Sequence, residues 1–217
     1  MPYSPKSTKK ELVTAFRTRE ILAAARKLME ARGLEAVTME EIAGAAGVAK
    51  GTVYLYFPSK DELIRDLITQ VGETMLRDIE VIVKSPASAT GKIRGVASLL
   101  LDYLIKERVF FPAYARDLRR DGRGSSQAYW SHFQDLEEKF FDLVTPVFAQ
   151  GIATGLFIPA NPRLLTFMLR GLVRSVGYYQ MAAGREVAIK EALPVLLTLL
   201  FSGLTPKPQA PAEVATL

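Results

Sequence analysis

Side chains that bind phosphate well are grouped between residue 50 and residue 60. They are two lysines, one threonine and two tyrosines: Lys50, Thr52, Tyr54, Tyr56 and Lys60. Lysine supplies a positive charge, and the threonine and tyrosine hydroxyls can donate hydrogen bonds to phosphate oxygens. Leu55 lies among them and could pack on the methyl group of a thymine. The chemistry that this group favours is contact with DNA.

The distribution of charge around this group supports the same interpretation. Residues 42–60 contain no Asp or Glu, whereas Glu40, Glu41, Asp61 and Glu62 flank the gap. A gap in acidic residues is expected on a surface that faces phosphates. The formal charge of the whole chain, +5 over 217 residues, points only weakly to a polyanionic partner.

The elements that would position these residues have the pattern of a helix-turn-helix. Thr38 and Glu41 have the spacing of a capping box, which predicts a short helix beginning at Met39. Gly47 permits a sharp turn, and a second helix is predicted over residues 50–57. This second helix is the candidate recognition helix.

One face of the candidate recognition helix can be anchored while the other faces a groove. Val53 and Phe57 lie four residues apart and can hold the helix to a core. Lys60 stands in the first turn of the next helix, where the helix dipole disfavours a basic side chain. A phosphate opposite Lys60 would explain it, and an exposed lysine tolerated at small cost is the alternative.

The rest of the chain is predicted to be helical, with no alternating strand pattern. A helix begins at about Arg17 and ends at Gly33, and Asn161 followed by Pro162 marks another helix start. Pro146 and Pro194 lie inside helical patterns and predict kinks or interruptions. The further helices are expected near 60–83, 92–107, 109–120, 125–153, 162–183 and 186–203.

Several function classes find no support in the composition. The chain has no cysteine and a single histidine, His132, so thiolate chemistry is excluded and a metal site is not expected. No phosphate-cradling glycine loop or nucleophile elbow is present, and we expect no cofactor and no enzymatic activity. The first 20 residues lack a secretion signal, and the apolar run 193–204 is too short to span a bilayer. We therefore expect a cytoplasmic protein without a membrane partner.

Two helices near the end of the chain are apolar nearly all round. They are the predicted helices near 162–183 and 186–203. The surface helix of a monomer needs only one apolar stripe, so these two require burial on two sides. A homodimer interface formed by this pair would provide it. The alternative is that both are central core helices.

Aromatic residues are interleaved with charges over residues 99–141, a pattern that fits either core packing or an aromatic-lined ligand cavity. Arg170 and Arg174, one turn apart on an apolar helix, could meet an anionic group of a ligand, extend to the surface or pair with acids. The candidate pocket residues are Tyr103, Phe110, Tyr114, Trp130, Phe133, Arg170 and Arg174. The expected effector is bulky and largely apolar, such as a fatty-acyl compound or an aromatic drug-like molecule.

The stretch from Thr18 to Ile64 resembles the DNA-binding domain of the tetracycline-repressor (TetR) family. The resemblance is carried by Ile21-Leu22, Ala24-Ala25, Gly33, Thr38, Ile42-Ala43, Ala46-Gly47-Val48, the run from Gly51 to Phe57, and Lys60. It implies an all-helical homodimer of about nine helices, with a three-helix DNA-binding unit and a ligand-binding and dimerising domain. The expected division is a disordered basic arm over 1–15, the DNA-binding domain over 16–60, the second domain over 61–204 and a disordered tail over 205–217.

The resemblance also implies roles for single residues. Thr52, Tyr54, Tyr56 and Lys60 match phosphate-contacting positions of the family, and Lys50, Gly51 and Leu55 match those nearest the bases. Thr38 completes the set of DNA-binding candidates. Ala49 departs from the family, which often has serine there, so a capping hydroxyl is lost.

The resulting hypothesis is a repressor that binds a pseudo-palindromic DNA operator as a homodimer and is released by a hydrophobic effector. An activator or nucleoid-type DNA binder without an effector is one alternative. An all-helical enzyme or carrier, in which the helix-turn-helix is only structural, is the other.

Overall fold

A computed structural model describes residues 9–119, 127–184 and 188–204, with side chains throughout except at 9–10, 116–119, 127–133 and 204. Over these ranges the regular structure is entirely helical. The helices are α1 Lys9–Arg32, α2 Met39–Ala45, α3 Lys50–Tyr56, α4 Lys60–Lys84, α5 Ala89–Lys106, α6 Phe111–Arg119, α7 Gln127–Ala153, α8 Pro162–Ala183 and α9 Ile189–Leu204. The predicted all-α fold of about nine helices is confirmed.

Helix α1 begins at Lys9, earlier than the start at about Arg17 that the sequence pattern predicts. Residues 9–15 are helical, which corrects the part of the predicted disordered arm that they occupy. Glu11 lies in the first turn, where the helix dipole favours a carboxylate, and this helps to extend the helix toward Lys9. Residues 1–8 of the predicted arm and the predicted tail over 205–217 lie outside the described residues.

Local signals set the helix ends where the sequence predicted them. Gly33 ends α1 with a φ of 84°, and its N–H donates to the carbonyl oxygen of Met29 at 2.8 Å. The Asn161 carboxamide oxygen caps α8 by accepting from the N–H groups of Arg163 and Leu164 at 2.9 and 3.2 Å. Both ends are therefore fixed by backbone chemistry that is visible in the sequence.

The interruptions predicted at Pro146 and Pro194 are not seen. Helix α7 continues through Pro146 to Ala153, and α9 continues through Pro194 to Leu204. A proline removes one hydrogen bond of the helix, but the neighbouring residues Val147 and Phe148 are buried in the core. In α7, burial of these two side chains favours the helical path despite the lost hydrogen bond.

The chain divides into two compact units. Of the residues that the structure describes, the first unit contains those within 1–72 and 109–129, and the second those within 73–108 and 130–217, so α4 contributes to both. The sequence pattern predicts a boundary at residue 60. The apolar face at the start of α4, formed by Leu63, Ile64 and Leu67, packs into the core of the first unit and moves the division farther along the helix.

The core of the first unit joins α1, α2, α3, the first half of α4 and the start of α6. Its fully buried members include Ile21, Met29, Ile42, Val53 and Leu63. Because each of these helices contributes apolar side chains to one cluster, α3 cannot shift without disturbing α1 and α4. The candidate recognition helix is thus held on a common core.

In the second unit α5 packs against α8 and α9, which also pack against each other. The second half of α4 supplies Leu76 and Ile79 to this core. Gly151 of α7 lies where a Cβ atom would come within 2.2 Å of the Phe157 ring, so the close approach needs glycine. Over the described residues, no helix combines the length and hydropathy needed to cross a membrane.

Candidate nucleic-acid interface

Helix α3 is anchored by two side chains on one face. Val53 and Phe57 are buried in the core of the first unit, as the four-residue spacing predicted. Gly47, with a φ of 67°, makes the turn that precedes α3, and Val48 packs partly buried beside it. These contacts fix which face of the short helix points away from the core.

The opposite face of α3 carries the predicted DNA-binding residues. Leu55 is 84% exposed, Lys50, Gly51 and Tyr54 are also exposed, and Thr52 and Tyr56 are half-buried at the edges. A leucine with this exposure gains nothing from the hydrophobic effect in the free protein. The structure thus brings the six α3 candidates onto one accessible surface.

Lys50 has a partner that the sequence pattern does not indicate. Its ammonium group forms an ion pair with the carboxylate of Glu40 on α2, and its Nζ lies 5.8 Å from the centre of the Tyr54 ring. The hydrogen bond to Glu40 raises the pKa of Lys50, and the same bond lowers the pKa of Glu40. Glu40 stands just outside the gap in acidic residues, and no local spacing rule signals the pair.

Thr38 forms the predicted capping box. Its Oγ1 accepts from the N–H of Glu41 at 3.3 Å, and its own N–H donates to the Glu41 carboxylate at 2.8 Å. Arg32 donates to the same carboxylate at 2.8 Å. The Thr38 N–H, followed by the Arg32 guanidinium, lowers the pKa of Glu41 to about 2. In the free protein, the Thr38 hydroxyl therefore serves the start of α2.

Lys60 also contacts the protein itself. Its Nζ donates to the carbonyl oxygens of Val37 at 3.0 Å and Glu35 at 3.4 Å, and lies 4.0 Å from the Glu35 carboxylate. These contacts explain a lysine in the first turn of α4 without a phosphate, because the carbonyls of the α1–α2 loop offset the unfavourable dipole. The role of Lys60 in DNA binding stays a prediction.

Ala49 occupies the N-cap position of α3, where no side chain supplies a hydrogen bond. The carbonyl oxygen of Ala49 still accepts from the N–H of Thr52 at 2.9 Å. The start of α3 is therefore capped by the backbone alone.

The predicted ligand-pocket residues are divided between the two units. Phe110 and Tyr114 belong to the first unit, where Phe110 is buried in the core and the Arg26 guanidinium lies 5.1 Å from its ring centre. The side chains of Trp130 and Phe133 lie outside the described residues. Phe110 therefore serves as a core residue of the helix-turn-helix unit.

Tyr103, Arg170 and Arg174 belong to the second unit and are partly buried. The Tyr103 hydroxyl donates to the Asp78 carboxylate of α4 at 2.6 Å. Burial, and after it this hydrogen bond, raises the pKa of Tyr103 to about 12. The bond joins α5 to the second half of α4.

Arg170 and Arg174 both bind the carboxylate of Glu137 on α7, Arg174 at 3.2 Å. The Arg170 guanidinium also lies 4.8 Å from the Phe140 ring centre. Of the three roles that the sequence left open for these arginines, pairing with an acid is the one present in the free protein. Glu137 carried no signal in the sequence, because its partners lie on the next helix, 33 and 37 residues along the chain.

An apolar surface on α8 and α9 remains uncovered within the single chain. Its members on α8 are Leu164, Phe167, Met168, Tyr178, Tyr179 and Met181, and its members on α9 are Val195 and Leu199, four residues apart. Gly171 and Ser175 are exposed on the same face of α8, where small residues allow close approach of another helix. The opposite faces of both helices are buried in the core of the second unit.

Comparison with known proteins identifies the first unit. A family model described as bacterial regulatory proteins, tetR family, matches residues 21–67, which include α2, α3 and the start of α4. The HTH-type transcriptional repressor KstR2 of Mycobacterium tuberculosis is 27% identical over 140 residues, or 64% of this chain and 68% of that protein.

Solved structures match beyond the helix-turn-helix. The structure of KstR2 has a TM-score of 0.68 at 23% identity and covers 88% of this chain and 96% of its own. FadR from Bacillus subtilis, in complex with stearoyl-CoA, has a TM-score of 0.65 at 22% identity and covers 85% of this chain and 98% of its own. AibR, in complex with isovaleryl coenzyme A and operator DNA, has a TM-score of 0.65 at 20% identity and covers 86% and 99%. Residues 21–67 thus match the DNA-binding domain of the tetR family, and the described residues share the all-helical fold of these solved regulators.

Proposed function

We propose that the protein is a ligand-responsive repressor that binds a pseudo-palindromic operator through α3. The observation that carries the proposal is the division of α3 into an anchored and a presented face. Val53 is fully buried while Leu55, two residues away, is 84% exposed. A short helix with this arrangement is suited to enter a major groove.

The presented residues fall into two classes. Thr52, Tyr54, Tyr56 and Lys60 bind phosphates, which position the protein on the duplex. Lys50 and Leu55 face base edges, where lysine can donate to guanine and leucine can contact a thymine methyl. Gly51 allows close approach of the backbone, and Thr38 contacts DNA beside the start of α2.

The operator is read by a homodimer that forms through α8 and α9. The uncovered apolar face described above supports this, because a second copy would remove it from water. A two-fold axis makes the same face of each subunit meet its partner, and it repeats α3 at a fixed spacing. Because α3 has few side chains that can contact base edges, much of the sequence specificity depends on the spacing between the two α3 helices of the dimer. Such a regulator acts on DNA in the cytoplasm.

The effector that we propose is an acyl thioester of coenzyme A or a related apolar anion. FadR and AibR, similar in fold, hold stearoyl-CoA and isovaleryl coenzyme A. The second unit carries Tyr103, Arg170 and Arg174 as groups that could meet the polar part of such a ligand. Helix α4 supplies residues to both cores, so a ligand that shifts α4 would change the half-site spacing.

The test is in vitro selection of duplexes from a random pool, followed by footprinting and titration with acyl-CoA esters. We expect a selected sequence with two related half-sites, bound less tightly as salt rises, and release by one chain-length class of ester. Absence of salt-dependent DNA affinity would exclude the function and favour the helical enzyme or carrier. If the protein binds DNA selectively and no ester weakens that binding, the proposed DNA-binding function would stand and the proposed acyl-CoA effector would be wrong.

A further inference from the structure

The ion pair between Glu40 and Lys50 occupies a special place on the recognition surface. Lys50 is the first residue of α3 and the single cation in that helix, whose sequence is KGTVYLY. Glu40 lies in the first turn of α2. The turn at Gly47 brings these two helix starts together, so the carboxylate lies against the one ammonium group that α3 could offer to DNA.

The pair contributes little to the folding of the first unit. The side chains of Lys50 and Glu40 are 55% and 53% exposed, and water and salt weaken an ion pair at such a position. The start of α2 already has the Thr38–Glu41 capping box and Arg32. The main consequence of the pair is therefore electrostatic, at the surface that meets DNA.

The pair also changes the charge that α3 presents. With Glu40 bound to Lys50, the recognition surface is formally neutral at this point, although residues 42–60 contain no acidic residue. Attraction to DNA of any sequence depends on the number of phosphates that cations neutralise. A lysine that is already neutralised adds little to that attraction.

We propose that Glu40 is a specificity-determining residue that acts by holding Lys50 on the protein. Lys50 leaves Glu40 only where the duplex offers it a better-placed acceptor, such as the O6 and N7 atoms of a guanine. On other sequences Lys50 stays paired with Glu40, so one fewer cation contacts the DNA. The pair thus lowers affinity for non-operator DNA more than affinity for the operator. This inference rests on the proposed function of α3.

The experiment compares the full-length protein with Glu40→Gln and Glu30→Gln. Glu30 pairs with Arg26 at 3.2 Å within α1, so its substitution removes the same charge from another exposed ion pair of the same unit. Binding is measured by fluorescence anisotropy on a random-sequence duplex pool and on the duplex that the wild type selects from it. Each titration is repeated at several salt concentrations.

For Glu40→Gln on the random pool, we expect tighter binding and a salt slope that is steeper by about 0.9, the value of one additional phosphate contact. Affinity should then fall about 3.5-fold more than that of the wild type between about 50 and 200 mM salt. The ratio of operator to random-pool affinity should decrease. Glu30→Gln should leave both the ratio and the slope as in the wild type.

A double-mutant cycle separates holding of Lys50 from simple repulsion of phosphates by Glu40. In a Lys50→Gln background, Glu40→Gln should no longer change binding to the random pool. An equal gain with and without Lys50 would overturn the proposal, as would an unchanged affinity ratio in Glu40→Gln. A wild-type protein that binds neither duplex would instead refute the proposed function, and the inference would fall with it.

Discussion

The Nζ atom of Lys60, at the start of α4, donates a hydrogen bond to the carbonyl oxygen of Val37 at 3.0 Å. Val37 is buried in the core of the first unit and directly precedes Thr38, the N-cap of α2. One lysine therefore ties the loop before α2 to the helix that follows α3. A residue proposed as a phosphate contact also holds together the unit that carries the recognition helix.

Replacement of Lys60 by methionine should have two separable effects. Loss of a phosphate contact weakens binding to all sequences alike and makes the salt slope shallower by about 0.9. Loss of the hydrogen bonds to the loop carbonyls lowers the free energy of unfolding by about 1 kcal/mol. Anisotropy titrations measure the first effect and urea unfolding the second.

Lys84→Met provides the matched control for Lys60→Met. Lys84 is an exposed lysine in the last turn of the same helix, where it binds Glu80. It should leave the salt slope unchanged. A wild-type slope in Lys60→Met would show that Lys60 serves only the loop.

Leu55 and Val53 provide a matched pair on α3. Leu55→Ala removes a side chain that is almost fully exposed, so the free energy of unfolding should stay within about 0.5 kcal/mol of the wild type. Its selected DNA sequence should change, because the proposed contact with a thymine methyl is lost. Val53→Ala empties part of the core and should cost about 2 kcal/mol. Urea unfolding and repeated DNA selection measure both properties, and an unchanged selected sequence in Leu55→Ala would remove it from base reading.

Charge on the uncovered face of α8 and α9 should dissociate the proposed homodimer. Met168→Glu and Leu199→Glu each place a carboxylate where an apolar contact with the second copy is expected. Each substitution should reduce the free energy of dimerisation by at least about 2 kcal/mol and so raise the dimer Kd roughly thirtyfold. Sedimentation equilibrium measures the Kd directly.

Val81→Glu is the control for the dimer variants, since Val81 is an exposed apolar residue on α4, outside α8 and α9. It should sediment as the wild type does. A Kd unchanged in all three variants would place the dimer interface elsewhere.

The stability of the protein should depend on pH through Glu41. Its folded-state pKa is about 2, against an ordinary value of 4.5, because the Thr38 N–H and Arg32 favour the ionised carboxylate. The stabilisation is therefore complete above pH 4.5 and is lost as the pH falls from 4.5 toward 2. Urea midpoints of the wild type and Glu41→Gln should differ most above pH 4.5 and converge below it.

Glu30→Gln, at an exposed ion pair within α1, is the control for the pH experiment. A difference in urea midpoint between the wild type and Glu41→Gln that does not vary with pH would mean that the charge of Glu41 does not contribute to stability.

Local chemistry made several elements predictable from the sequence. The capping box at Thr38, the turn glycine at position 47 and the Asn161-Pro162 start each act over a few residues, and each was found where expected. The prolines at 146 and 194 do not end α7 and α9, and beside Pro146 the burial of Val147 and Phe148 offsets the lost hydrogen bond. The sequence pattern does not place the start of α4 in the first unit. Its packing partners on α1, α2 and α3 are not its neighbours in sequence, so no local signal indicates the contact.

The sequence by itself determined the helix-turn-helix, the anchored face of α3 and the residue types that face outward. Those properties follow from turn chemistry and helical periodicity, which are local. Only the tertiary structure decided which partners the cations have in the free protein. Lys60 binds a carbonyl 23 residues away, and Lys50 binds an acid on the preceding helix. The physical reason is that charge interactions depend on distance in space and not on separation along the chain. Residues 42–60 contain no acidic residue, but folding places the Glu40 carboxylate beside Lys50 on the recognition surface.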